Sequence, residues 1–430
     1  MRLNRRKLLK TVGVSGGVVL TGCLGSDGSG GNGDSTEQGT TEGSDAGTEG
    51  TTTDGSDGGT ERATTQSSGA DTVQGTTSGG GGNSYHIGFA IMGLGGDPWM
   101  GAFRKGAEWY AEDKGLKLTV TDGEFDASKQ INDVKSLLQR DVDAILTSPV
   151  QSDAGVTMVE DAAAENVPVF TANSTAATDQ VPLFTAFGNA DAATTAADAM
   201  ADEFEEQLGS PEGTVVEVLL PQNSETFVQR HEGFQEGMSE YDDIEIISQI
   251  EYDQTQEDAV NKITTQLQKN DDFDAIYCPD LLSGLAAMTA FENAGVKKPA
   301  GEEGHIITTG LDAGPATLKA ISNGFYDAAI DQPNLFYAPI SMKYMVDYLD
   351  AGKESSAIPD TGQEITADGL TISTGNEHAG IDPWEKPLWS PAQVTEQEFD
   401  GGSQTYFKTS QFTVTKENVD VPYIWGNLGN

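Results

Sequence analysis

Short apolar strands alternate with amphipathic helices from Tyr85 onward, and near Gly213 the alternation begins again. In the first run, Ile87–Ile91 reads as a strand and Phe103–Asp113 as a helix with Phe103, Ala107 and Tyr110 on one face. Leu116–Val120 follows as a strand. Ile131, Val134, Leu137 and Leu138 recur at helical spacing before a strand at Ala144–Ser148. A helix over 154–165 leads to strands at Val167–Thr171 and Leu183–Phe187. In the second run, strands at Thr214–Leu220, Ile244–Ile247, Ala275–Cys278, Ile306–Thr309 and Tyr326–Ile330 are separated by segments of helical period. Parallel strands need helix-length crossovers and, covered on both faces, read as unbroken apolar runs. The predicted fold class is therefore α/β, with two doubly wound parallel-sheet lobes.

A short internal echo supports two similar lobes. Asp141-Val142-Asp143-Ala144-Ile145-Leu146 matches Asp272-Phe273-Asp274-Ala275-Ile276-Tyr277, and each run leads to a proline, Pro149 or Pro279. Ligands of such sheets bind beyond the carboxyl ends of the strands. The loops there are rich in polar and aromatic residues: Asp97, Trp99 and Met100 after the first strand, Asn173 and Ser174 after the fourth. In the second run they are Arg230, Tyr252, Asp280, Asp312 and Gln332. Carboxylates and amides beside an aromatic ring suit a polyhydroxylated ligand, whose hydroxyls need paired partners and whose C–H face stacks on a ring.

The chain before Tyr85 reads as an address and a tether. Residues 1–22 carry five basic residues and no acid, with Arg5-Arg6 ahead of a short apolar stretch. They end at Leu20-Thr21-Gly22-Cys23. The stretch is too short to span a bilayer, which takes about 20 apolar residues. Together these features resemble a twin-arginine lipoprotein signal with Cys23 as the lipidated residue. Residues 24–83 are Gly, Ser, Thr, Asp and Glu with almost nothing apolar. They are expected to form a disordered tether, because they cannot bury enough surface to offset chain entropy. Only Cys278 remains after Cys23, so no internal disulfide is available to the exported chain.

The acidity belongs to the body. The chain has 24 Lys and Arg against 68 Asp and Glu, and residues 84–430 hold 58 of those acids but 18 of the bases. Such a surface excludes nucleic acid as a partner and anionic lipid as a docking surface for the globular part. It reads as a halophile surface, on which salt screens like-charge repulsion.

Residues 85–372 resemble the sugar-binding proteins of ABC importers in the ribose/galactose-type class, with the type I periplasmic binding fold. The resemblance rests on Met92-Gly93-Leu94 with Asp97-Pro98-Trp99-Met100, on Gly106-Ala107-Glu108, and on Asp122-Gly123 leading to Lys129-Gln130. It continues through Ser148-Pro149-Val150, Gly188-Asn189, Arg230 with Gly233-Phe234, Gly310-Leu311-Asp312 and Asp331-Gln332. It implies sugar contacts at Asp97, Trp99, Met100, Arg230, Asp280, Asp312 and Gln332, and at Asn173, where the family's charged pair is replaced by Asn173-Ser174. It implies a three-strand hinge crossing near 187–189, 332–333 and 365–371. The lobes would be 84–187 with 333–365, and 188–332 with 366–374. Residues 375–430, rich in aromatics, would form an irregular extension packed over the lobes.

Other chemistries find little support. Gly93-Leu94-Gly95 lacks the third glycine of a dinucleotide fingerprint, the four histidines are scattered, and Cys278 sits at a strand end in apolar company. No cofactor, metal or catalytic residue is expected. The expected function is capture of a monosaccharide or polyol at the outer face of the membrane, for delivery to a permease and its ATPase. Membrane contact would be only through the Cys23 lipid. The alternative is a nucleoside or signalling-molecule receptor on the same fold.

Overall fold

The computed structural model describes residues 84–428 except positions 223 and 271, together with the backbone of residues 71–74. The signal, Cys23 and most of the tether lie outside the described residues. Residues 71–74 depart from the expected disorder: they form a strand, β1 (Asp71–Gln74), paired antiparallel with β3 (Lys117–Asp122). The reason is an unfilled edge. Without this strand, β3 would present a free row of backbone donors and acceptors.

The first sheet continues with β2 (His86–Ile91), β4 (Ala144–Thr147), β5 (Val169–Ala172) and β6 (Phe184–Phe187). Its helices are α1 (Pro98–Lys114), α2 (Ala127–Leu138) and α3 (Ser152–Ala164). The second sheet is built from β7 (Gly213–Leu219), β8 (Ile244–Glu251), β9 (Ala275–Cys278), β10 (Ile307–Leu311) and β11 (Ala328–Asp331). Its helices are α4 (Asn189–Leu208), α5 (Glu225–Met238), α6 (Gln256–Lys269), α7 (Leu281–Ala294) and α8 (Pro315–Ser322). The parallel strands run β3-β2-β4-β5-β6 in one sheet and β8-β7-β9-β10-β11 in the other. Each set reads second, first, third, fourth, fifth, the doubly wound order with a switch point beside its first strand. Alternation sorts side chains to the two faces: Ile87, Phe89 and Ile91 pack with α1, whereas Ala90 and Ile145 join a separate cluster with α2 and α3.

The echo has a structural role. Asp143 and Asp274 each stand just before the third strand of a sheet and reach back to the first. Asp143 accepts from the His86 amide at 2.7 Å, and Asp274 accepts from the Thr214 amide at 2.9 Å. The carboxylates thus set the register of the neighbouring strand at both pseudo-equivalent places.

A long helix, α9 (Asn334–Asp350), follows β11 and returns to the first sheet. It packs against α1 so closely that a Cβ on Gly106 would lie 2.4 Å from the Leu335 carbonyl oxygen. The second lobe repeats this contact, with Gly233 of α5 sitting 2.3 Å, by the same measure, from the Ala190 carbonyl of α4. In both lobes the helix after the first strand therefore needs glycine where the crossing helix begins.

Two expectations are corrected. The third crossing is not at 365–371. There β12 (Glu364–Ile365) pairs with β13 (Ala392–Phe399) in the first sheet, and the chain stays on that side. Nor is 375–430 an irregular extension. β13 and β14 (Gly402–Thr409) form an antiparallel hairpin, and β14 adds parallel to β6. The chain then crosses at Ser410-Gln411 into β15 (Phe412–Val414), which pairs antiparallel with β11. Each sheet had a free edge beside its fifth strand, and this segment fills both. Trp384, Trp389, Phe407 and Trp425 bury with it.

Candidate functional site

The carboxyl ends of the two sheets carry most of the predicted residues. Asp97 caps α1, its Oδ1 accepting from the Trp99 amide at 2.8 Å, with Pro98 supplying the fixed φ of the first helical position. Asp280 caps α7 in a capping box with Ser283, and its Oδ2 accepts from the Tyr252 hydroxyl at 2.6 Å. Asp312 follows β10 with φ 72°, and Asn173 follows β5 with φ 67°. Both therefore follow the fourth strand of their sheet in the left-handed region, and the amide of each donates to the fifth strand, Asp312 to the Ile330 carbonyl at 3.0 Å and Asn173 to the Thr185 carbonyl at 2.9 Å. For residues other than glycine that conformation costs about 1 kcal/mol or more, so the local fold over-determines it at both places.

Arg230 on α5 is buried. Its Nε donates to Asn189 Oδ1 at 2.9 Å, its Nη1 to the Pro279 carbonyl at 2.8 Å, and its guanidinium lies 5.6 Å from the Phe187 ring centre. It is also near enough to Asp312 to hold down a carboxyl that burial otherwise raises; the outcome is a pKa of about 6. The negative charges of Asp280 and Asp97 push it the same way as burial. Asp97 is raised chiefly by burial, with the Asp280 charge contributing. Asp97 of the first lobe thus lies within electrostatic reach of Asp280 and Asp312 of the second, and Asp312 also feels the Arg230 guanidinium.

Gln332, at the second crossing, ties this group to the hinge: its Nε2 donates to Asp312 Oδ1 at 2.6 Å. Trp99 and Met100 take a more interior place. Trp99 is 5% exposed, its ring meeting Phe103 edge-on at 5.7 Å and Tyr337 at 6.3 Å, and its indole N–H has no partner. Asn173 has a long contact with Ser148, at 3.4 Å.

Several residues of the site were not singled out from the sequence. Asn189 orients Arg230, and Tyr337 donates to Gln332. Asp331 accepts from the Ala313 amide and from the Trp425 indole at 2.8 Å, and burial raises its pKa to about 8. Asn189 and Asp331 stand in pairs already tied to the family pattern, Gly188-Asn189 and Asp331-Gln332. Nothing local marks Tyr337. Among the described residues no group of three or more His, Cys, Asp or Glu is placed to hold a metal. Cys278 is fully buried in β9, and desolvation raises its thiol well above the ordinary range.

Two doubly wound lobes with polar side chains meeting beyond their strand ends define a two-lobed ligand-binding protein. The chain belongs to the family of the periplasmic binding protein domain, whose family model matches residues 87–354. The ribose import binding protein RbsB of Bacillus subtilis is 26% identical over 274 residues, which is 64% of this chain and 85% of that protein. The galactofuranose-binding protein YtfQ of Escherichia coli is 24% identical over 65% of this chain and 89% of its own length. Among solved structures, an ABC-transporter solute-binding protein of Actinobacillus succinogenes with bound D-allose superposes with a TM-score of 0.60. It is 18% identical, over 78% of this chain and 99% of that one. These relatives are binding proteins, and the shared fold is the type I periplasmic binding fold.

Proposed function

We propose that this protein is the extracytoplasmic receptor of an ABC importer, taking a monosaccharide or polyol between its lobes and presenting it to a permease and ATPase pair. One observation carries the reading: beyond the strand ends, Asp97 from one lobe lies within electrostatic reach of Asp280 and Asp312 from the other, with Arg230 acting on Asp312. A group of acceptors with one fork of donors matches a ligand rich in hydroxyls. Relatives named for ribose and galactofuranose support the ligand class. The signal-like start, Cys23 and the polar segment after it support a lipid-anchored receptor on the outer membrane face, and the acidic surface supports a high-salt setting. The ligand residues are Asp97, Asn173, Arg230, Tyr252, Asp280, Asp312 and Gln332, with Trp99 and Met100 forming the wall behind Asp97.

Calorimetry of the purified protein against pentoses, hexoses, polyols and nucleosides tests this. At least one sugar or polyol should bind with a Kd of about 1 μM or tighter, equivalent to about 8 kcal/mol, and be recovered unchanged. Binding of nucleosides alone would move the protein to another ligand class, and chemical conversion of a bound sugar would make it an enzyme.

A further inference from the structure

A single hydrogen-bonded line runs from Asp312 through the crossings. The Phe187 amide donates to the Tyr337 hydroxyl at 3.1 Å, the Tyr337 hydroxyl donates to Gln332 Oε1 at 3.0 Å, and Gln332 Nε2 donates to Asp312 Oδ1 at 2.6 Å. On the other side of the same peptide segment, the Tyr406 hydroxyl donates to the Phe187 carbonyl at 2.5 Å. Phe187 is the last residue before the first crossing, Gln332 lies in the second, and Tyr406 is on the strand that leads to the third. Asp312, Gln332, Tyr337, Phe187 and Tyr406 are all buried, between 0% and 8% exposed.

The direction of the line matters. Starting at the Phe187 amide, every donor points toward Asp312, so each bond polarises the next and the series ends on a carboxylate. The carboxylate fixes the Gln332 amide with its NH2 toward Asp312, which leaves the amide oxygen for Tyr337. Tyr337 therefore has one role for each lone pair and proton it uses: it accepts from the first crossing and donates to the second. The face of Phe187 also carries the Arg230 guanidinium. The cleft carboxylate of Asp312, bonded to the Gln332 side chain in one crossing, is thus joined through one tyrosine to the backbone of another crossing.

We propose that Tyr337 is a positioning residue that couples occupancy of the cleft at Asp312 to closure of the two lobes, with Tyr406 bracing the first crossing from behind. A ligand hydroxyl arriving at Asp312 competes for and reorients the carboxylate. Gln332 and Tyr337 pass that change to the peptides about which the lobes turn. The choice of ligand rests on the sugar-receptor reading, but the coupling does not.

The test uses Tyr337→Phe and Tyr406→Phe in the otherwise unaltered protein, with spin labels on one exposed residue of each lobe. Tyr337→Phe should broaden the interlobe distance distribution in the ligand-free protein. With the best sugar of the calorimetric panel it should leave the association rate unchanged and raise the dissociation rate about tenfold, with incomplete closure at saturation. Tyr406→Phe should broaden the ligand-free distribution less and change dissociation by about threefold or less. A Tyr337→Phe protein that melts earlier, yet has the wild-type distance distribution without ligand and the wild-type closure and dissociation with it, would reduce Tyr337 to a packing residue and overturn the proposal. If the wild type binds no sugar, the receptor reading fails instead, and a ligand-free distance distribution left unchanged by Tyr337→Phe would still overturn the proposal, because Tyr337 would then not hold the crossings.

Discussion

Arg230 is the cation the structure sets beside Asp312, and its removal should be read twice, in affinity and in pH dependence. Arg230→Met keeps the unbranched stem and deletes the fork. Two bonds disappear, to Asn189 Oδ1 and the Pro279 carbonyl, and with them the order of the loop that presents Asp280. Bonds from a charged donor are worth about 1.5–3 kcal/mol each, but water can return to part of the space. The expected loss in binding is about 2–4 kcal/mol, or roughly 30- to 1,000-fold in Kd.

The pH profile isolates the electrostatic part. Asp312 in the intact protein titrates at about 6, so at pH 7 about ten molecules have it ionised for each one protonated. A ligand hydroxyl donates only to the ionised form at full strength, so wild-type affinity should fall as pH drops through about 6. Arg230 opposes the rise caused by burial, so without it the midpoint should move upward. Each further tenfold loss of the ionised fraction weakens binding by about 1.4 kcal/mol. Arg230→Lys restores the charge without the fork and should bring the midpoint back toward the wild-type value while recovering affinity only in part. Calorimetry from pH 5 to 8 on all three proteins, each checked for native circular dichroism, provides the measurement. An Arg230→Met protein within about threefold of wild type at pH 7, with its midpoint unmoved, would show that Arg230 serves packing and not the ligand.

Other outcomes follow from burial and pairing. Asp331 has its pKa raised to about 8, so the folded state binds a proton that the unfolded chain has lost between pH 4 and 8, and this group makes stability fall as pH rises. Asp331→Asn keeps the acceptor for Trp425 and should flatten that slope and raise the melting temperature at pH 8; a slope identical to wild type would place the effect elsewhere. Truncation after Thr374 removes the strands beside β6 and β11, and the product should show no cooperative melting transition. Trp99→Ala should cost about 3–5 kcal/mol of stability, in line with a large buried ring; chemical denaturation showing less than about 1 kcal/mol would mean that the ring is not anchored between Phe103 and Tyr337. Cys23→Ala should move the exported protein from the membrane fraction to the medium, and undiminished membrane retention would count against the lipid anchor.

Much of the fold could be read because its strands are short, buried on both faces and separated by helices of clear period. Ile87–Ile91 and Ala275–Cys278 have few other ways to be satisfied. The echo around Asp143 and Asp274 was legible as a repeat, though its cause, a carboxylate bonded to the neighbouring strand's amide, requires the paired strands to be seen. α9 was missed for the opposite reason. Asn334 through Met342 are all buried, so no polar face gives the helix a period, and Pro339 sits inside it. The hairpin of β13 and β14 was missed because its outward positions are Gln, Thr and Glu, which read as loop, and because its partner β6 lies more than two hundred residues earlier.

The site shows the same division between local and distant information. Asp97, Asp280 and Asp312 could be singled out because each lies in the loop just past a strand end, a property of a few adjacent residues. Tyr337 lies in the helix without a period, five residues past Gln332, and becomes meaningful only when Phe187 is brought to its hydroxyl from the other side of the hinge. Tyr406 reaches that same peptide from the hairpin that was read as an extension. What the sequence could not display is therefore the connection between the cleft and its crossings. Groups that touch a ligand are drawn from loops at predictable positions, whereas groups that hold three crossings in register must come from elements far apart in the chain.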